Sequence, residues 1–265
     1  MSVPAAGAHL RPVAGRGAWL GFGNLARNEA AQWTRTRSAW VQPLVWLAIL
    51  VAPLSLPLVF MRELFAAEAG GTFEAALDMV FQMGGLALPI GAVILLHGAI
   101  VGERQTGTAA WVLTKPASRT AFVVAKFAVH TLALLVVALL LPTSIAYGVL
   151  SWEAGGALTL GRYTAAVGLL ALNLAFYAAL TLMLGAVARN RGTVLAVGLA
   201  VLVGADVVLA VAPALAHAGP WVLGRMATVL AQGGPLVTPW PLLAVPLWIV
   251  AFLALAVWRV RHEEF

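Results

Sequence analysis

Six long runs of apolar residues constrain the fold of this chain more than any other feature of its sequence. Each run is close to or longer than the ~20 residues that an α-helix needs to cross a hydrocarbon layer ~30 Å thick. The chain is 62% hydrophobic and 10% charged, with a mean hydropathy of +0.95, whereas a soluble core of this length needs far more polar surface. The sequence therefore predicts an all-α integral membrane protein with six transmembrane helices in one domain.

The apolar runs and the polar segments between them give the domain boundaries. We predict a flexible cytoplasmic N-terminus at 1–18, an amphipathic helix at 19–39, the membrane domain at 40–258 and a cytoplasmic tail at 259–265. The predicted spans are residues 40–60, 73–101, 120–150, 163–188, 193–212 and 240–258. Three prolines in the first span should kink it, because proline has no N–H to donate within a helix.

The segment before the first span has apolar and charged positions at helical spacing. Trp19, Phe22 and Trp33 lie near one face, while Arg27 and Glu29 occupy others. This pattern predicts a helix that lies in the membrane interface. It leaves open whether the helix is a simple anchor or takes part in function.

Basic residues are distributed unevenly between the two sides of the predicted membrane domain. If both termini are cytoplasmic, 13 of the 16 lysines and arginines lie inside, and only Arg62, Arg162 and Arg225 lie outside. An excess of basic residues marks the cytoplasmic side of membrane proteins. The net charge of +6 thus follows from topology and does not require a nucleic-acid partner. The polar segment between the second and third spans is then cytoplasmic.

That polar segment has its own start and stop signals. Glu103 closes the incoming helix, and Gly107 ends it because glycine is poor inside a helix and free at positive φ. Thr108 can cap a short apolar helix, which must end before Pro116, and Ser118 can cap the next span. A short helix held between two turns is the form of a docking element.

The motif in this segment resembles the signature of permease subunits of type-2 ABC exporters. The residues that carry the resemblance are Glu103-Arg104, Gly107-Thr108, Leu113-Thr114-Lys115-Pro116, Ser118-Arg119 and Lys126-Phe127. The resemblance implies a cytoplasmic coupling helix that docks in a groove of a partner ATPase. The residues that it assigns to coupling are Glu103, Arg104, Gly107, Thr108, Trp111, Leu113, Lys115, Pro116 and Arg119.

The same resemblance implies an assembly and an energy source. Two permease copies, identical or paralogous, would pair, and each would bind one ABC ATPase. The chain has no G-x-x-x-x-G-K-[ST] loop, so ATP and Mg²⁺ should bind to the ATPase and this chain should hold no cofactor. The amphipathic helix at 19–39 would be the elbow helix of the family. A multi-pass protein of a prokaryotic plasma membrane, surrounded by lipid, is the expected setting.

Several polar residues lie inside the predicted spans, where they are expensive to bury. Asp78 and Gln82 share one face of the second span, as Asn173 and Tyr177 share one face of the fourth. These faces either line a transport path or form hydrogen bonds between helices. Asp206 lies in the outer half of the fifth span and needs a partner or water.

The external segment at 213–239 is rich in proline and glycine but helical in pattern between them. It is too short to span and long for a connector, so it is either a re-entrant helix that forms an external gate or an interfacial helix without such a role. Pro220 fits the first turn of this helix. Arg225 is the nearest cation to Asp206 by topology, and the pair could latch the gate.

Other functions find weaker support in the sequence. His97 and His130 lack the cysteines or paired carboxylates of a metal cage, so we assign no metal site and no catalytic residue. Gly98 and Gly102 form a G-x-x-x-G pattern that lets another helix approach closely. An intramembrane enzyme, or a membrane anchor that recruits an ATPase without transport, remains as an alternative.

The predicted topology can be tested because the chain contains no cysteine. Cysteines introduced at Thr114 and Gly192 should resist impermeant thiol reagents applied outside intact cells, while cysteines at Gly70 and Ala218 should react. Labelling of Thr114→Cys from outside would overturn the orientation.

Overall fold

The protein is all-helical, without strands, over the residues described by the computed structural model, which are 17–67, 71–107, 117–156, 158–204, 207, 210–212, 218–236 and 238–262. Most of the predicted N-terminal segment at 1–18 lies outside these ranges. The α-helices in chain order are α1 (Phe22–Thr34), α2 (Ser38–Leu50), α3 (Arg62–Ala66), α4 (Gly71–Leu96), α5 (Val101–Gln105), α6 (Arg119–Leu134), α7 (Leu141–Glu153), α8 (Leu160–Val187), α9 (Arg191–Val203), α10 (Leu223–Ala231) and α11 (Trp240–Arg261).

Five helical segments among the described residues are long and apolar enough to cross a membrane. They are Ser38–Phe60, Gly71–Gln105, Arg119–Glu153, Leu160–Val187 and Trp240–Arg261. These segments agree with the first, second, third, fourth and sixth predicted spans. The last one continues into the predicted tail, because α11 ends only at Arg261.

The predicted fifth span at 193–212 is described only in part, at residues 193–204, 207 and 210–212. Helix α9 has 13 residues and ends at Val203, with Gly204 as its C-cap. At 1.5 Å per residue it is about 20 Å long, less than the hydrocarbon thickness. Glycine has low helix propensity, which explains the end at this point.

Prolines change the form of the helices as predicted for the first span. After α2 the chain forms a 3₁₀ turn at Ala52–Leu54, which contains Pro53, and a π-helical turn at Leu56–Phe60, which contains Pro57. These turns adjust the hydrogen bonding around residues that cannot donate an N–H.

The helices begin and end at two opposite ends of the bundle, which we call the lower end and the upper end. At the lower end, Arg104 of α5 donates hydrogen bonds of 3.0 Å to the carbonyls of Ala186 and Ala188, where α8 ends. The last residue of α11 reaches the start of α6 there, since Nη2 of Arg261 donates to Oγ1 of Thr120 at 2.7 Å. The upper end holds the starts of α4, α8 and α11.

Helix α8 is the centre of the bundle and packs against α4, α9, α10 and α11. The short helix α10 crosses α4 at a pair of glycines, where a Cβ atom on Gly85 would lie 2.9 Å from Cα of Gly224. Its other end lies beside the upper end of α8, where Arg162 would contact a Cβ atom at Gly233. Helix α10 therefore rises from the middle of α4 to the upper end. The predicted helix in the external segment is confirmed, with Pro220 in the turn that begins it.

The contact between α4 and α10 gives a test of the packing. Gly85→Ala should push the two backbones apart and lower the free energy of unfolding by about 1–3 kcal/mol, as overpacking typically does. Chemical denaturation of the purified protein in detergent measures this change. Gly168→Ala is the control, because a Cβ atom there meets nothing within 4 Å. Equal stabilities of the two variants would contradict the close contact.

Candidate functional site

A buried cluster of polar side chains joins three helices at the lower end. Nζ of Lys126 on α6 lies 2.6 Å from Oε1 of Glu29 on α1 and 2.6 Å from Oε1 of Glu103 on α5. One turn further along α6, Nε2 of His130 lies 3.0 Å from Oε2 of Glu29. Nε1 of Trp33 on α1 donates to Nδ1 of the same histidine at 2.8 Å. We call these five residues the Lys126 cluster.

The Lys126 cluster holds charges away from water. The side chain of Lys126 is 2% exposed and that of Glu29 6%. Burial alone would raise the pKa of Glu29, but the hydrogen bond from His130 and the charge of Lys126 outweigh burial and hold this pKa below its ordinary value of 4.5. An indole N–H only donates, so His130 accepts at Nδ1 and donates from Nε2, as the neutral ring does.

The two carboxylates exceed the one ammonium group, so the Lys126 cluster is not fully balanced. Oε2 of Glu103 is buried and has no hydrogen-bond partner among the described residues. A buried carboxylate oxygen without a partner is costly, and such atoms in native structures mark strain or function. Oε2 of Glu103 can therefore accept a hydrogen bond if the helices change their arrangement.

A glycine-lined face next to the cluster holds the side chain of Arg191. A Cβ atom at Gly102 would lie 2.6 Å from Nη2 of Arg191, and one at Gly98 would lie 3.5 Å from its Nε. The structure thus places a guanidinium group against the face that the G-x-x-x-G pattern offered to a helix. Arg191, Glu103 and Lys126 all border a cavity of about 430 Å³.

Arg104 connects the same end of the second span to α8. Its hydrogen bonds to the last carbonyls of α8 place a positive charge at the negative end of that helix. Gln105 adds a hydrogen bond of 3.1 Å from Nε2 to the carbonyl of Arg189. The role of Arg104 in ATPase coupling stays a prediction, and the structure adds that its guanidinium group binds within the chain.

The borders of the predicted coupling element lie where the sequence indicated. Helix α5 ends at Gln105 and Gly107 has a φ of 71°. Ser118 caps α6 by accepting a hydrogen bond of 2.9 Å from the N–H of Ala121. Arg119 donates to the carbonyl of Arg261, which links the element to α11. The interior coupling residues lie outside the described residues, and these are Thr108, Trp111, Leu113, Lys115 and Pro116.

A second feature is a cavity of about 690 Å³ between α4, α8 and α10, on the upper side of the bundle. The structure brings together there five of the six residues predicted for a path or gate, namely Asp78, Gln82, Asn173, Tyr177 and Arg225. The sixth, Asp206, lies outside the described residues.

The polar atoms of this cavity are only partly satisfied. Nδ2 of Asn173 donates to the carbonyl of Gly85 at 3.1 Å, and Gln82 donates to Asp78 on the same helix. Oδ1 of Asn173 and the hydroxyl of Tyr177 are buried without a hydrogen-bond partner among the described residues. The hydrogen bond from Asn173 to Gly85 joins two helices, as expected if these polar residues serve helix packing. The cavity also has polar atoms without a hydrogen-bond partner among the described residues.

Comparison with known proteins decides the family. Residues 41–205, more than half of the chain, match the family described as ABC-2 family transporter protein. The chain belongs to this family. A search of curated proteins finds no match to it. The resemblance to permease subunits of type-2 ABC transporters, drawn from the motif around Glu103, is thereby confirmed.

Family membership fixes the general role of this ABC-2 protein. It is a membrane component of an ABC transporter, a kind of subunit that is generally not an enzyme and works with an ATPase partner. The matched segment contains the whole second span, the Lys126–His130 face and the lower end of α8. It also contains the α4 and α8 walls of the cavity.

Sequence reasoning missed the Lys126 cluster of this ABC-2 protein, although a signal was present. Lys126 is a charged residue inside an apolar span, which by itself indicates function and requires a partner. His130 follows it at i+4, on the same face. Glu29, the carboxylate of the amphipathic helix, is 97 residues away in sequence, and this separation concealed the pair.

The Lys126 cluster can be tested by its effect on stability. Lys126→Met should lower the free energy of unfolding by about 3–5 kcal/mol, because it leaves buried carboxylates without their counter-ion. Glu29→Gln should also destabilise, and the double variant should lose less than the sum of the two, since both remove the same interaction. Chemical denaturation in detergent measures all three.

The control and the pH dependence make this test specific. Glu63→Gln removes an exposed carboxylate of α3 and should have little effect. Because the pKa of Glu29 is lowered in the folded protein, its contribution is complete above its ordinary value of 4.5 and is lost as the pH falls further and the carboxyl group takes up a proton. Additive losses in the double variant would contradict the paired arrangement.

Proposed function

We propose that this ABC-2 membrane subunit is the permease of an ATP-driven exporter. Two copies of the chain, or this chain and a paralogue, pair in the membrane, and each binds one ATPase that holds ATP and Mg²⁺. The observation that carries the proposal is the polar cavity between α4, α8 and α10. Neither a simple anchor nor a bundle of lipid-facing helices requires such a cavity.

The position of the cavity supports a path between two copies. Gln82 and Arg225 are exposed on the outside of this single copy, and Asp78 is partly exposed beside them. A charged side chain in the bilayer centre costs about 2.5–3.5 kcal/mol on insertion scales. These side chains therefore face water or a second permease copy, and pairing of two such faces encloses a polar route through the membrane.

The path of the chain supports six crossings with both termini on one side. Helix α8 ends at the lower end beside Arg104, whereas α11 begins at the upper end and returns to the lower end at Arg261. The intervening segment must therefore cross the bundle once, and α9 with the residues after it provides this sixth crossing. Helix α10 is then the re-entrant helix and α1 the elbow helix. The excess of basic residues favours a cytoplasmic position for the lower end and both termini. A prokaryotic plasma membrane is the setting that we propose.

Coupling to the ATPase follows from the contacts at the lower end. A docked ATPase moves the segment between Gly107 and Ser118. Glu103 and Arg104, just before this segment, contact α1, α6 and α8 through the Lys126 cluster and the cap of α8. The movement is thus passed to several helices as a shift between two packed arrangements, whose contacts with the ATPase must differ.

At the upper end, we propose that α10 is the external gate. Arg225 lines the cavity and forms no ion pair among the described residues. A pair with Asp206 would close the gate, and its release would let cargo pass outward. On the opposite wall, Oδ1 of Asn173 and the hydroxyl of Tyr177 are buried in this arrangement and would reach the cargo only after the gate opens.

The docking step gives the test of this function. Trp111→Ala with Leu113→Ala should lower recovery of the ATPase subunit with the tagged permease, since an aromatic anchor concentrates interface energy. Each truncation at such a position costs about 2 kcal/mol or more, roughly 30-fold in affinity. Co-purification from cells that make both subunits measures the effect.

A matched control uses a tryptophan and a leucine at the other end. Trp152→Ala with Leu64→Ala removes two exposed apolar side chains of the upper end and should leave ATPase recovery unchanged. If wild-type permease recovers no ATPase, or if both double variants recover it equally, docking through this segment is refuted.

A further inference from the structure

Helix α1 borders two hollows that adjoin each other on the lower side of the bundle. One is an apolar groove of about 560 Å³ between α1, α2 and α6. The other is a polar cleft of about 440 Å³ along α1 itself. Ala30 and Thr34 line both, so the two hollows meet at these residues. An apolar groove that opens into a polar cleft has the shape of a site for an amphiphile.

The groove follows a membrane span. On the third span it is lined from Val129 of α6 to Val137 of the π-helical turn that follows, and on the facing side by Trp33 and Trp40. Eight residues of helix correspond to about 12 Å along the membrane normal, which carries the groove well into one leaflet. A soluble partner cannot follow it to that depth, but an acyl chain can.

The polar cleft is cationic. Its lining includes the guanidinium groups of Arg27 and Arg35 and the amides of Asn24 and Asn28, and among the described residues it includes no carboxylate. Neither arginine takes part in the ion pairs found among the described residues, so their charges are available to a ligand. Guanidinium and amide donors suit phosphate oxygens, and Arg offers them in a fixed fork.

We propose that these two hollows form one binding site for an anionic phospholipid of the cytoplasmic leaflet. The phosphate of the headgroup binds Arg27 and Arg35 in the cleft, and one acyl chain lies in the groove between α1 and α6. The proposal does not depend on transport or on an ATPase. It does depend on the placement of α1 in the membrane interface.

The site is connected to the Lys126 cluster through one side chain. Trp33 lines the groove and also donates the hydrogen bond to His130, whose ring contacts Glu29. A chain packed against the indole restricts it to the orientation that makes this bond. Bound lipid therefore stabilises the contact of α1 with α6 from the membrane side.

Lipid titration of delipidated protein tests the proposal by native mass spectrometry. Wild type should bind phosphatidylglycerol more tightly than phosphatidylcholine with the same acyl chains. Arg35→Gln should weaken phosphatidylglycerol binding about fivefold, because one basic residue near an anionic lipid surface contributes about 1 kcal/mol. Arg27→Gln combined with Arg35→Gln should weaken it about 25-fold. Phosphatidylcholine binding should not change.

Two controls separate a built site from general attraction. Arg37→Gln, two residues from Arg35 but outside both hollows, should retain wild-type affinity. Ala133→Phe fills the groove and should weaken both lipids, whereas Ala254→Phe, on the exposed face of α11, should weaken neither. Folding of each variant is checked by its thermal unfolding in detergent without added lipid.

Three results would overturn the proposal. Equal effects of Arg35→Gln and Arg37→Gln would show diffuse attraction to an anionic surface. Unchanged affinity in Ala133→Phe would show that no chain occupies the groove. Loss of ATPase recovery in the Arg27 and Arg35 variants, with lipid affinity unchanged, would show that the cleft binds a protein.

Discussion

The buried ion pair of Lys126 with Glu29 and Glu103 is the interaction on which the lower half of this protein depends. It joins the helix before the first span, the end of the second span and the start of the third around one ammonium group. Buried charges offset the free-energy cost of their desolvation only when their geometry and hydrogen bonding are good. Removal of one partner leaves the others buried without a counter-charge. The arrangement is thus specific, because α1 cannot shift along α6 without losing the bonds that Glu29 and Trp33 make to Lys126 and His130.

Much of this fold follows from sequence, because the bilayer imposes simple rules. Span positions follow from apolar length, and the ends of the coupling element follow from Gly107 and Ser118, whose roles are local. The end of α9 at Val203 was not predicted, because hydropathy does not register the effect of one glycine on helix length. Arg104 shows a different limit of sequence-based prediction. The motif alone does not tell whether this arginine binds a partner protein or, as the structure shows, the last carbonyls of α8.

The cavity and the Lys126 cluster differ in how much of each could be predicted from the sequence. Asp78 with Gln82, and Asn173 with Tyr177, were recognisable as pairs because helical spacing places i and i+4 on one face. Their convergence on one cavity with Arg225 required α10 to fold back against α4, which depends on the contact of Gly85 with its partner glycine. The Lys126 cluster depends on contacts between residues far apart in the chain, which periodicity does not encode.

The close contact of α4 with α10 has a mechanical consequence. Gly85 and Arg104 are 19 positions apart in one helical segment, so the second span forms a lever about 28 Å long between the lower end and the cavity. A tilt of about 5° at the lower end would displace the upper contact by about 2.5 Å over that length. Backbones that already touch cannot absorb such a displacement by compression, so α10 would be carried with α4. The wall of the cavity and its lever would move as one rigid part.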